Sequence, residues 1–257
     1  MKCSKTYDGL ESAVKSEFYL EVAKGNIPGH KLKSKFGRNP SVGTSFETIW
    51  NGGGTYTGFN AVGAETVTVS SSSSSDSISG TGLRTIRLYG LDANFEEITE
   101  DIELDGTADV ISTKEFIRMD TAKGLTAGTV GHNVGDVTVH QTVDTAVIFA
   151  VIPATYNTTM IAAYTIPAGK TGFLMEQSTA LSNKQAASAD VRIQIKGPGE
   201  VFTVAGEAAL NSQGTGYINQ SFTIPKQIPE MTDLFIEAEA SATIAISAFL
   251  EILLVDN

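Results

Sequence analysis

Between Pro167 and Gly172 the chain reads PAGKTG, and Gly-Lys-Thr is the closing half of a phosphate-binding loop. A complete loop also needs a glycine five residues before Gly169 and a helix after the Thr, so that backbone amides can cradle phosphate. Tyr164 occupies that first position, and the following GFLMEQS reads as strand. A tight turn between two strands is therefore expected. DIELDG, from Asp101, has the alternating Asp101, Glu103 and Asp105 and the Gly106 of a calcium loop. Its closing bidentate Glu would be residue 112, which is Ser112. Ile102 and Leu104 fill the intervening positions, as in a half-buried strand that ends in an Asp-Gly turn.

The other reactive side chains are sparse. His132 and His140 are separated by a turn and a strand with no third ligand marked, and His30 stands apart, so no metal site is expected. Cys3 is the single cysteine, which excludes an internal disulfide or a cysteine-built zinc site. Glu96, Glu97, Glu100, Asp101 and Glu103 cluster, but on the wet positions of an alternating pattern, where acids keep a sheet soluble. Trp50 and Tyr217 are the candidates for stacking on a sugar ring. No catalytic constellation emerges, and neither an enzyme nor a cofactor is expected.

Charge is distributed unevenly. The 257 residues carry a net −11, yet residues 1–40 hold eight Lys/Arg against four Asp/Glu, and the rest hold ten against 25. Lys24, Lys31, Lys33, Lys35 and Arg38 lie in KGNIPGHKLKSKFGRNPSVG, a stretch without a carboxylate. It reads as an extended basic arm that would grip an acidic groove on another subunit and order on binding. The acidic remainder disfavours nucleic acid and anionic membrane as partners. The longest apolar run, AVIFAVIPA, is about half the ~20 residues that span a bilayer, and the N-terminus has no apolar signal core. A soluble protein made in the cytoplasm is expected.

The elements that must carry these residues are mostly strands. Asp8 and Glu11 have capping-box spacing, and Leu10, Val14, Phe18 and Val22 recur every four residues, predicting a helix stopped by Gly25. Its stripe must lie on its own body or on a partner. Beyond the arm, RTIRLYGLDANFEEITEDIELDG reads as a hairpin with one wet face, Ile86 and Leu88 facing Ile98, Ile102 and Leu104. Short alternating segments then follow at regular spacing, with Pro153, Pro167, Pro198, Pro225 and Pro229 expected at strand edges or between strands. The expected fold is all-β: antiparallel β-sandwich or jelly-roll units preceded by an N-terminal helix and extended arm. The expected units are 1–45 (helix and basic anchoring arm), 46–143 (first sandwich) and 144–257 (second sandwich). The six serines Ser70–Ser75 read as an exposed loop or the fringe of an edge strand.

The segment order TIRLYGLDANFEEITEDIELDGT, STKEFIRMDTA, GHNVGDVTV, AAYTIPAGKTGFL and SFTIPKQIPEMTDLFIEAEAS resembles a group of virion structural proteins of tailed bacteriophages, mostly marine ones, over about residues 42–257. The resemblance implies a non-enzymatic β-sandwich protein on the outside of the particle, on head or tail, and transfers no active-site residues. A capsid decoration or cement protein is the leading expectation. It would bind the major capsid protein through the arm (Lys24, Lys31, Lys33, Lys35, Arg38) and stabilise the head, with copies associating as a homotrimer. A tail- or fibre-associated protein that binds host glycan through Trp50 or Tyr217 is the alternative.

Overall fold

The computed structural model describes residues 11–182 and 186–257, with side chains from residue 17 onward. Helix α1 (Glu11–Ala23) leads into β1 (His30–Val42) and a short β2 (Glu47–Thr48). Seven strands follow: β3 (Glu65–Ser71), β4 (Leu83–Leu91), β5 (Glu97–Glu103), β6 (Val110–Phe116), β7 (Arg118–Ala127), β8 (Val137–Gln141) and β9 (Ile148–Ile152). The remainder is β10 (Ala163–Thr165), β11 (Lys170–Leu181), β12 (Ser188–Lys196), β13 (Thr203–Asn211), β14 (Tyr217–Ile228), β15 (Asp233–Ala240) and β16 (Ile244–Asp256). The fold is all-β, and every strand pair is antiparallel.

Two sandwiches result, each closed by the alternation that puts apolar side chains on one face. In the first, β6-β3-β8-β9 packs on β5-β4-β7. Val67, Val69, Val139 and Phe149 meet Ile86, Leu88, Ile102 and Ala122 in its core. In the second, β1-β16-β11-β14 packs on β10-β15-β12-β13, with β2 added to β15. There Leu250, Ile252, Leu254 and Leu174 face Val191, Ile193, Leu234 and Ile236. The hairpin expected over residues 84–106 is present as β4 and β5, and Gly169 turns the chain into β11 with φ +72°.

The division into units differs from the expectation in two ways. β1, from the supposed arm, is a strand of the second sandwich. It runs antiparallel to β16 from His30 opposite Val255 to Val42 opposite Ile244. β9 lies beyond residue 143 yet belongs to the first sandwich. The first sandwich is thus inserted between β2 and β10 of the second. The reason lies in the sequence: Lys31, Lys33 and Lys35 alternate with Leu32, Ser34 and Phe36, a period of two that suits a strand. Gly37 is needed where β1 crosses close to Ile49 and Ala162, because an added Cβ would collide with both backbones.

The serine run is organised rather than featureless. Asp76 is fully buried at its end and accepts four hydrogen bonds. They come from Ser71 Oγ (2.6 Å) and the backbone amides of Leu83, Val134 and Gly135 (2.8 Å each). One carboxylate so ties β3, β4 and the entry to β8. Within the predicted helix, Val22 is buried, Phe18 meets His30 edge-on at 5.8 Å and Tyr19 reaches Met175, so α1 rests on its own body. Asp8 and Leu10 lie outside the described residues. Asp76→Ala would orphan the buried amides of Leu83 and Gly135, at about 1–3 kcal/mol each, and the partly buried Val134 amide. Urea unfolding of that variant is expected to show at least ~3 kcal/mol of lost stability; a loss below ~1 kcal/mol would mean the loop is held by something else.

Candidate functional site

The five basic residues expected to form a free arm are placed as follows. Lys24, exposed just past the end of α1, pairs with Glu21 at 2.8 Å. Arg38 is half-buried and has no ion pair among the described residues. The other three share one face of β1, and that face is turned toward the first sandwich. Lys31 pairs with Glu97 on β5 at 2.7 Å. Lys33 and Lys35 both grip Asp120 on β7; the Lys35 ammonium lies 2.8 Å from Asp120 Oδ1 and also donates to the Asp120 carbonyl. Lys35 is only 4% exposed. An acidic groove does receive this stretch, but it belongs to the same chain. The free, extended arm is therefore corrected: Lys31, Lys33 and Lys35 belong to a strand of the body, Lys33 and Lys35 held inside the seam and Lys31 half exposed at its edge.

A second charged contact crosses the same seam. Arg118 on β7 forks onto Asp233 on β15, with Nε to Oδ1 at 2.9 Å and NH2 to Oδ2 at 3.0 Å. Thr165 Oγ donates to Asp233 at 2.6 Å, and Lys196 lies 3.4 Å from it. The guanidinium also donates to the Ile117 carbonyl (2.8 Å) and sits near the rings of Phe59 and Phe95. Bidentate geometry of this kind is the form in which a buried pair recovers its desolvation. Trp50, Tyr56, Phe59, Ile161, Ala163 and Phe235 pack beside it as an apolar hinge-pin between the sandwiches.

Between the two ion-pair groups lies a cleft of about 420 Å³. Lys33, Glu97, Thr99, Arg118, Asp120 and Tyr164 contribute to its wall. Lys33 is 5.2 Å above the Tyr164 ring. Burial raises the Tyr164 hydroxyl well above its ordinary pKa, as it does for Tyr56, so both phenols stay protonated. Every charge named in this wall already has a partner of opposite sign, so the arrangement holds two bodies together. It does not present a nucleophile beside a base, nor paired carboxylates across an open gap.

Other sequence candidates fall elsewhere. Trp50 is 3% exposed, with Nε1 donating to the Gly54 carbonyl at 3.1 Å, so its proposed sugar-stacking role is corrected: its face is used by Tyr56. Tyr217 is 56% exposed at the start of β14. Asp101 forms a surface fork with Arg87. His132 and His140 each bond the carbonyl of the next residue. Cys3 lies outside the described residues. The seam residues Asp120, Arg118 and Asp233 were missed. Only the period of two in Lys31, Lys33 and Lys35 pointed to them, because three lysines on one strand face need acids opposite.

Opposing effects set the ionisation at the seam. Burial pushes Asp120 up, but the charges and hydrogen bonds of Lys35 and Lys33 outweigh it and leave the carboxyl below its ordinary 3.8. For Lys35, burial dominates over the attraction of Asp120 and brings the ammonium below its ordinary 10.5. A carboxylate depressed in the folded state contributes stability that is present above its unfolded pKa and lost as pH falls through its folded one. The seam is accordingly expected to weaken below about pH 3.8. Asp120→Asn, which strands two lysines, should destabilise the protein by about 3–5 kcal/mol at neutral pH and flatten that acid limb. Unfolding followed from pH 2 to 7 checks both; an unchanged acid limb in the variant would overturn the assignment to Asp120.

No family model and no curated protein matches the chain. Among solved structures, one titled for infectious bursal disease virus, Gt strain, is 13% identical and aligns over 93% of this chain and 78% of that one, with a TM-score of 0.22. Another, for the Gx strain, is 10% identical over 89% and 82%, with a TM-score of 0.12. Similarity at these scores carries no argument about fold or role.

Proposed function

We propose that this chain is a non-enzymatic structural protein of a virus particle, most simply a decoration protein on the outer surface of a phage head. The observation that supports this reading best is the seam. The chain's concentrated positive charge is spent on welding two sandwiches into one body, which leaves a surface dominated by acids. A rigid, acidic, two-lobed β body suits a part exposed outside the cell, where like charge keeps coated particles apart. The order of its segments resembles virion proteins of tailed phages, and that resemblance supports the same class.

The mode of attachment changes from the one expected. With β1 built into the body, the element available to grip the major capsid protein is α1, which presents Phe18 (36% exposed) and Leu20 (51% exposed) beside Lys24. A chain lacking residues 1–23 keeps β1, which starts at His30, and is expected to stay folded. It should lose at least about tenfold in affinity for heads, measured by co-sedimentation. Equal binding would exclude attachment through α1, and a count of only a few copies per virion by mass spectrometry would exclude decoration.

A second reading, a tail- or fibre-associated protein that adsorbs to host glycan, is favoured by the cleft, where the half-buried Tyr89 stands near Glu97 and Thr99. Aromatic faces beside hydrogen-bonding groups suit a sugar ring. This reading predicts few copies per virion and glycan-array binding that Tyr89→Ala abolishes; an empty array removes it.

A further inference from the structure

Sheet edges are where β proteins must prevent unwanted pairing, and they do so with charge, proline, bulges or cover. The edge strands of this fold follow that rule almost throughout. β1 carries Lys31, Lys33 and Lys35; β5 carries four acids; β6 carries Lys114 and Glu115; β13 has Glu207 at its centre. β7 is covered by residues 157–159, whose backbone bonds Gly124 and Ala122. β9 is covered by Asn51, Tyr56 and Thr57, which bond Val151, Phe149 and Ile148. The far half of β14 is deflected by a bulge in which Phe222, Thr223, Ile224 and Pro225 stand against Met175 alone.

Tyr217–Ser221, the near half of β14, is the exposed exception among the described residues; β10, also an edge, is three residues long and wholly buried. It pairs with β11 on one side only and contains no charge, proline or bulge. The phase of its ladder is fixed by the Leu181 amide, which donates to the Gly216 carbonyl at 2.8 Å. Bonded pairs alternate along an antiparallel ladder, so Ile218 and Gln220 bond β11. Tyr217, Asn219 and Ser221 then aim their N–H and C=O groups away from the sheet, and all three residues are exposed.

We propose that this edge is a self-association site, at which β14 of a second copy pairs antiparallel about a twofold axis through Asn219. The register is self-complementary: Asn219 meets its own counterpart and Tyr217 meets the partner's Ser221. Each of these three pairings joins outward-aimed groups, so each can exchange two backbone hydrogen bonds. The charge distribution favours a second copy as the occupant. Residues 201–228 hold one acid, Glu207, and one base, Lys226, and form a neutral sector in a chain of net charge −11. Two such acidic bodies repel least when they approach along this sector. Pairing here would join sheet β1-β16-β11-β14 to its counterpart as one eight-stranded sheet. The result is a dimer, not the trimer expected from sequence, and it does not depend on the virion reading.

Sedimentation velocity of the full chain across a dilution series tests this. A concentration-dependent dimer is expected; a monomer at every concentration, or a trimer, overturns the proposal. Asn219→Pro removes an outward N–H without touching the β11 ladder and should raise the dimer dissociation constant at least about tenfold. Its unfolding midpoint at dilute concentration should stay unchanged, which separates lost pairing from lost folding. In a Cys3→Ser background, Asn219→Cys should be captured as a covalent dimer by a short bis-maleimide, and Glu96→Cys, on the first sandwich, should not. Equal capture of both, or of neither, would also overturn it.

Discussion

Lys35 is the residue on which the architecture turns. Its ammonium is buried, and a buried charge left alone is costly enough that the chain adopts only arrangements that partner it. Asp120 supplies both a carboxylate oxygen and its own carbonyl to that one group. The two partners sit on strands from different sandwiches, so the contact exists only when both bodies are formed and docked. Register is held by the same requirement. A slip of β1 by one residue would turn Leu32, Ser34 and Phe36 toward Asp120 and send the lysines to the opposite face. The ladder to β16, from His30 opposite Val255 onward, and the close passage of Gly37 over Ile49 allow no such slip.

That constraint gives the inserted topology a physical meaning. The second sandwich is built from both ends of the described chain, β1 pairing with β16 across more than 200 positions. Contacts of such separation form late in folding, after the loop between them has been closed at an entropic cost. The first sandwich, whose strands β3 to β9 are contiguous, has mostly local partners and no such delay. Its formation places Asp120 and Arg118 where β1 and β15 will arrive. The apolar cluster around Phe59 and Phe235 then excludes water from the seam, and in that drier setting the Arg118–Asp233 fork is held by geometry as well as charge.

Much of the strand content was legible because alternation is a local signal. Ile86 and Leu88 against Ile102 and Leu104 read as a hairpin, and Gly169 and Gly106 as turns, with positive φ at both glycines. The stretch from Lys24 to Val42 misled because its prolines, glycines and unpaired charges describe an isolated segment, and an isolated segment of that kind is extended and solvated. Its period of two was visible, but the acids that neutralise it lie 66 to 87 positions away. Composition cannot report that distance. The serine run failed similarly: Ser70–Ser75 look featureless until Asp76 is seen to gather the Ser71 hydroxyl and backbone amides from two further segments, at Leu83 and at Val134–Gly135. Trp50 looked available beside a glycine-rich stretch, but glycines there let the chain fold over the indole, so that Gly54 accepts its N–H.

Use of the lysines inside the molecule changes the kind of contact this surface can make. A free cationic arm would steer the protein toward an acidic partner, giving fast association that falls steeply with salt. Paired across the seam, Lys31, Lys33 and Lys35 no longer project a field, and the exposed face is left with the excess of acids. Association with any particle or partner must then rest on shape, apolar contact and backbone hydrogen bonds. Such contacts form at the slower rates of unsteered docking and respond weakly to ionic strength. A steep salt dependence of binding would require a cationic surface away from the seam, such as one including exposed Lys114, Lys123 or Lys226, which have no ion pair among the described residues.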